Sequence, residues 1–580
     1  MNVRRLTPTL QWSTLVWFAL AAAFHPALPA SAASPSDTTA LRASGRGGAV
    51  ASAAPDATAA GVSVLRAGGN AADAAVATAL ALAVVHPIAG NLGGGGFAVS
   101  RFDGLVTALD FRETAPRAAT RHMFLGPDGR AVPEKSLVGP LASGVPGSPQ
   151  GLWELHRRHG RLPWRRVVLP AIHLAQRGFR VTPRLQAELE SRRDLLSRFP
   201  ETSAVWLPRG QVPQAGTLIR LRKLASWLQR YAEKGPSALT SGRAAHAVAK
   251  ASLRHGGVIT AADMSSYRPV WREPVRFEAF GWSLASMPLP SSGGVILGQT
   301  LGVLERLEWA ESPAASAQRS HLFVETWRRA FSDRTLMGDP ETTQATERQL
   351  LGDAWLDRRA GEIDAVRATA SSEVRPFPVG VGHESPETTH LSVIDADGNA
   401  VALTTTLNGA FGCGLLVPEL QILLNNEMDD FTTAPGSPNM FGLIQGEANA
   451  VGPGKRMLSS MTPTIAWREG DVLVVGSPGG SRIPTSVAQV FLRVAVDGMA
   501  PADAVAAPRL HHQWQPDEVQ AERGALPAQT AADMEQRGHR VKLVKEMGEV
   551  AVVERLEGGR CEAAADPRGP GAAAVVTPGR

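Results

Sequence analysis

Thr388 opens the run Thr388-Thr389-His390-Leu391-Ser392-Val393-Ile394, directly after a stretch from Arg367 to Glu387 rich in Ser, Pro, Gly and Glu and without periodicity. A flexible segment therefore passes straight into the first strand of a sheet at a hydroxyl side chain. A threonine hydroxyl is a weak nucleophile near neutral pH and needs a base beside it. His390, two residues along the strand, falls on the same face and is one candidate. Further on, Gly476-Ser477-Pro478-Gly479-Gly480 can aim successive backbone N–H groups at one oxygen, although alone it also reads as a tight turn. His511 and His512 are adjacent, point to opposite faces of a strand and have no third ligand at a metal-binding spacing, so they read as structural.

These residues need elements to hold them. Val62 to His86 is Ala- and Val-rich with helical character, and Asn91-Leu92-Gly93-Gly94-Gly95-Gly96 follows and leads into a strand from Phe97 to Phe102. A dinucleotide fingerprint needs the order strand, glycines, helix, and a phosphate-binding loop needs a Gly-Lys-Ser/Thr ending that this run lacks, so it serves close backbone packing instead. Gly151 to Leu228 is amphipathic and helical, with arginines on the solvated faces, and Ser320 to Ser332 forms another helix. Leu391–Ile394 and Ala400–Leu407 are strands joined by the hairpin signal Asp395-Ala396-Asp397-Gly398-Asn399.

At 580 residues and 61.2 kDa, with 44% hydrophobic and 19% charged residues, the chain is too large for a lone binding module and too apolar for disorder. The net charge of +5 is spread over dispersed arginines, with no basic block to follow a nucleic acid. Two cysteines, Cys413 and Cys561, give no disulfide framework and no zinc spacing; whether they pair with each other stays open. Arg4 and Arg5, the apolar run Leu15 to Phe24 and Ala30-Ser31-Ala32 form a secretory signal peptide, residues 1–32, too short and too proline-interrupted for a stable membrane anchor. The mature chain is expected in the periplasm or outside the cell.

Several long motifs, in order, resemble the γ-glutamyltransferase family. They are Asp110-Phe111-Arg112-Glu113-Thr114-Ala115-Pro116, Ser291-Ser292-Gly293-Gly294, Gly338-Asp339-Pro340, the Thr388 run, Thr406-Leu407-Asn408, Asn425-Asn426-Glu427-Met428-Asp429-Asp430, Leu458-Ser459-Ser460-Met461 and Gly476 to Ile483. The resemblance spans essentially the whole mature chain. It implies an N-terminal nucleophile hydrolase: an α/β (α+β) four-layer αββα sandwich whose precursor cuts itself between Glu387 and Thr388. The products would be a large subunit, 33–387, and a small subunit, 388–580, that together form one heterodimer. The freed α-amine of Thr388, with an ordinary pKa of about 7.7 to 8.0, would then be the base. Before the cut that nitrogen is an amide and accepts no proton.

The resemblance further implies that Thr388 attacks the γ-carbonyl of glutathione or another γ-glutamyl compound, with Thr406 orienting it and Gly479 and Gly480 as oxyanion donors. Arg112, Ser459 and Ser460 would grip the α-carboxylate, and Asp430, aided by Asn408 and Glu427, the α-ammonium. The γ-glutamyl ester would pass to water or to an amino-acid or peptide acceptor, with no cofactor and no metal. Thr432 to Lys455 matches a lid loop in length, but Phe441 stands where bacterial members carry Tyr. Two rivals remain: a glutaryl or cephalosporin acylase, which the retention of Asp430 disfavours, and a catalytically silent binding relative.

Overall fold

The computed structural model describes residues 40–376, 388–434, 439–440, 442–443 and 446–577, all within one unit, Thr39–Arg580. The expected signal peptide, Glu387 and Phe441 lie outside the described residues. Two seven-stranded, wholly antiparallel sheets carry the architecture. The first runs, edge to edge, Ala572–Val576, Gly48–Ser52, Thr389–Ile394, Ala400–Thr406, Gly95–Phe102, Leu105–Asp110 and Val270–Arg272. The second runs Arg42–Arg46, Arg560–Ala565, Ala551–Arg555, Asp471–Gly476, Thr464–Arg468, Trp282–Ser286 and Val275–Ala279.

Side-chain alternation sorts the first sheet into two faces. Val50, Leu391, Val393, Val401 and Leu403 pack into one apolar cluster with the helices Pro55–Arg66 and Ala71–Val85. Ala49, Ala51, Ala400 and Ala402, on the opposite face, join a cluster with Leu473 and Val475 of the second sheet. The same cluster reaches the helices Gly293–Arg306, Ala317–Asp333 and Arg482–Ala495 on the far side. The layers are therefore helix, sheet, sheet, helix, the expected αββα sandwich. On Gly48–Ser52 and Ala400–Thr406 small alanines face the other sheet, whereas on Gly95–Phe102 the bulky Phe97 and Val99 face it and Ala98 faces the helices.

The helix expected over Val62 to His86 is two helices. Gly68, at φ +86°, ends the first, and Asn70 caps the second by accepting from the Asp73 N–H while Asp73 accepts from the Asn70 N–H. The second helix is buried nearly all round, as its uniform Ala/Val/Leu composition requires. The glycine run does serve close packing. A Cβ on Gly94 would lie 2.1 Å from the Thr406 carbonyl oxygen and one on Gly96 2.3 Å from that of Thr404. Among the described residues no helix is long and apolar enough to cross a membrane.

Candidate active site

Thr389 pairs with Thr405 and His390 with Thr404 across the central strands of the first sheet. Continuing that register by one pair sets Thr388 opposite Thr406, and the alternation turns both toward the second sheet. The strand ends there: the Asn408 N–H donates to Thr406 Oγ1 at 2.8 Å, and Asn408 takes a left-handed φ of +72° that Asn tolerates. Asn91 Nδ2 donates to the Thr406 carbonyl at 2.7 Å and holds the strand end in place.

The second sheet supplies the facing loop. Asp471–Gly476 runs into Gly479 and Gly480, which have φ of +128° and +57°, and then into the helix Arg482–Ala495. Neither glycine N–H donates to an acceptor among the described residues. Both are thus available, ahead of a helix N-terminus, to an oxygen that gains negative charge. A Cβ on Gly479 would meet nothing nearer than 3.5 Å, so an alanine there has room but not the conformation. Gly479→Ala is expected to lower kcat by about 10²- to 10³-fold, with little change in KM, in steady-state assays.

A small cavity of about 20 Å³ brings the predicted residues together: Thr388, Thr406, Asn408, Arg112, Glu427, Asp430, Ser459, Ser460 and Gly480 line it. Gly479 lines a second chamber that also touches Thr388. Arg112, only 1% exposed, is bonded directly to both Glu427 and Asp430. Burial pulls its guanidinium down, but the three neighbouring acids, Glu427, Asp430 and Glu113, together hold it above its ordinary pKa. Burial raises Glu427 and Asp430 above the usual carboxylate range and lifts Glu113 to about 7. A cation held by two acids is a cluster whose partners a zwitterion is chemically able to exchange, carboxylate for the acids on Arg112 and ammonium for Arg112 on the acids, with no change in net charge.

Ser459 and Ser460 are set by the block Ser291 to Gly294. The Ser292 N–H and hydroxyl both donate to the Ser459 carbonyl, at 2.8 and 2.7 Å, and a Cβ on Gly293 would sit 2.2 Å from Thr462 Oγ1. Three buried polar atoms on the cavity wall lack a hydrogen-bond partner: Ser460 Oγ, Glu427 Oε2 and Arg334 Nη1. A polar ligand would satisfy them.

Arg334, Asn439 and Leu443 escaped the sequence reading. Arg334 donates from Nε to Ser292 Oγ at 3.0 Å, and burial, with Arg112 adding to it, pulls it down to about 10, still a cation at neutral pH. Asn439 Nδ2 donates to Asp430 Oδ1 at 2.8 Å, and Leu443 closes one wall, so part of the expected lid reaches the site. The only signal for Arg334 was its place just before the Gly338-Asp339-Pro340 block.

His390 points between the sheets, where a Cβ on Gly476 would come within 2.3 Å of its ring. Its nitrogens share hydrogen bonds with Thr404 Oγ1 and Ser392 Oγ at 2.8 and 3.1 Å, and burial holds it down to about 3. It does not line the cavity, which removes it as the base. His511 and His512 are structural as expected, bonded to Thr485 and Gln513 and to Asp517. Cys413 and Cys561 are free, buried and in different clusters.

Residues 57–576 match the family model described as gamma-glutamyltranspeptidase. A glutathione hydrolase proenzyme of Escherichia coli (strain K12) is 43% identical over 90% of this chain and 90% of its own. A cephalosporin acylase from Bacillus halodurans superposes with a TM-score of 0.82 at 25% identity, covering 95% of this chain and 100% of that one. The gamma-glutamyltranspeptidase of Helicobacter pylori superposes with a TM-score of 0.55 at 36% identity, covering 56% of this chain and 93% of that chain. By the family model and by identity along nearly its whole length, this chain belongs to the gamma-glutamyltranspeptidase family.

Proposed function

We propose that this protein is an exported, self-processing enzyme that takes the γ-glutamyl group from glutathione and related compounds through an ester on Thr388. The observation that carries the reading is the cavity that joins Thr388 to an Arg112, Glu427 and Asp430 cluster, with unpartnered polar atoms on its wall. A γ-glutamyl group carries a carboxylate and an ammonium on one carbon, the two charges that such a cluster exchanges. Cutting Glu387-Thr388 frees the α-amine, which takes the Thr388 hydroxyl proton as Oγ attacks the γ-carbonyl. Gly479 and Gly480 N–H groups stabilise the resulting oxyanion, Thr406 orients the nucleophile, and the amine returns its proton to the leaving nitrogen. Water or an amine then resolves the ester. The two subunits, 33–387 and 388–580, stay in one body because the central strands of the first sheet come from both.

The acylase neighbour gives a second reading: transfer of a dicarboxylic acyl group that lacks the ammonium. Paired assays separate the two. Release of the same arylamine from γ-glutamyl and glutaryl anilides should favour the γ-glutamyl compound by at least about 10²-fold in kcat/KM, because the glutaryl group leaves buried acids unpaired. Equal rates would transfer the assignment to the acylases.

The raised pKa of Asp430 sets a pH dependence. The ammonium needs an ionised Asp430, so lowering the pH should raise the donor KM, with a midpoint above the ordinary value of 3.8. The loss should appear in KM, and Asp430→Asn should flatten that limb in a pH series of initial rates.

A further inference from the structure

No three basic residues follow one another between Gly151 and Arg254, yet this stretch carries 20 Lys and Arg against 6 Asp and Glu, a net charge of +14 in a chain whose total is +5. The fold collects these charges on one helical layer. The helices Trp164–Arg177 and Arg222–Lys234 lie antiparallel: Trp164 Nε1 donates to the Tyr231 carbonyl at 2.8 Å near one end, and Arg220 Nε to the Arg177 carbonyl at 3.1 Å near the other. Each buries an apolar stripe, with Val167, Val168 and Ile172 in the first and Leu224, Leu228 and Tyr231 in the second, so the cations take the opposite side. The helix Gly242–Arg254 borders the same face, because Lys223 Nζ donates to the Pro418 carbonyl at 2.8 Å and Lys250 lies 3.9 Å from Glu419 in the same turn.

Little on the protein neutralises this face. Four of the six acids are taken locally, Glu154 by Arg157, Glu188 by Arg184, Glu190 by Arg193 and Glu201 by His255. Arg165, Arg166, Arg222, Lys234 and Arg243 are exposed and make no ion pair or side-chain hydrogen bond among the described residues. Cations crowded in this way repel one another, and an anionic surface relieves that repulsion. Two apolar side chains stand among them. Leu169, 40% exposed, lies three and four residues from Arg166 and Arg165 on one helix face, and Leu253, 60% exposed, lies three residues from Lys250. A polyanionic chain would engage the cations alone, whereas the boundary between the headgroups and acyl chains of a bilayer takes both the cations and the leucines.

We propose that this face is a docking surface for an anionic phospholipid bilayer, on which the folded protein rests reversibly with its cations among the headgroups and Leu169 and Leu253 at the acyl boundary. Each basic residue close to such a surface adds to the attraction, and the attraction fades within a Debye length. Charge and inserted apolar side chains together hold better than either alone. None of the five unpaired cations or the two leucines lines the glutamyl cavity or the chamber beside it, so surface binding and turnover are separable.

The test is co-flotation of the purified protein with vesicles of phosphatidylcholine, with and without about one-third phosphatidylglycerol. Wild type should partition at least about tenfold more strongly onto the anionic vesicles, and about 0.5 M salt should remove most of the difference. Arg166→Glu combined with Arg222→Glu should lower that partition about tenfold or more, whereas Arg523→Glu combined with Arg540→Glu, the same change in net charge on exposed residues outside the face, should leave it within twofold. Leu169→Ser combined with Leu253→Ser should lower vesicle binding several-fold and leave retention on a heparin column unchanged. All three variants should melt and turn over glutathione as wild type does. Equal partition onto neutral and anionic vesicles, or equal losses in the two charge-reversed variants, would overturn the surface. Leucine variants that bind vesicles as wild type does, from a protein that heparin retains, would overturn the bilayer in favour of a polyanion.

Discussion

Purified Thr388→Ala will run as one uncut chain and release no glutamate from glutathione, whereas wild type will give two fragments, the smaller beginning at Thr388. The variant removes the hydroxyl that attacks in both events, self-cleavage and turnover. Loss of a nucleophile in a coupled catalytic group typically costs about 10⁶-fold in kcat. The fold should survive, because Thr388 lies at the start of its strand, before the paired residues Thr389 to Ile394. Intact mass and a thermal melt, read together, check this. Thr388→Ser keeps a hydroxyl and should still cut, with slower turnover. A fully active Thr388→Ala would remove the nucleophile assignment and the family mechanism with it.

Arg112→Met should cost the most among the binding residues, on two counts. Glu427 and Asp430 would be left together in a buried site without their cation, which typically destabilises by about 3–5 kcal/mol. Burial already raises both acids, and without Arg112 they would rise further. The sign follows: the variant should be nearest to wild-type stability at low pH, where the acids are protonated, and lose stability as pH rises through their raised pKa values. Separately, the donor α-carboxylate would lose its bidentate partner, and kcat/KM should fall about 10³-fold, mostly through KM. Melting curves at pH 5 and pH 8, with donor saturation curves, measure the two effects. A KM within threefold of wild type would mean that the carboxylate is bound elsewhere, with Arg334 the first alternative.

Much of this site was legible in the chain because its parts are locally encoded. Thr388 stands at a junction between a segment without periodicity and an alternating strand, Gly479 and Gly480 sit in a loop that other residues could not trace, and Asp395 to Asn399 announces the hairpin that sets Thr388 beside Thr406. The helical stretch from Val62 misled on one point: composition carried through Gly68-Gly69-Asn70, but a left-handed glycine and a capping side chain divide it. His390 was left open because alternation fixes its face and not its neighbours. The approach of Gly476 from the other sheet closes the space around it.

Sequence by itself named the candidates for the chemistry, one hydroxyl, two backbone donors and a set of charges, because its motifs resemble those of a family in the same order along the chain. Tertiary structure decided how the charges meet. Arg112, Glu427 and Asp430 form one buried cluster, and Arg334 enters from a distant helix end. Each of these depends on distances between segments hundreds of residues apart, and burial, which sets both the strength of an ion pair and the cost of an unpaired charge, is a property of the packed sheets and not of any local stretch.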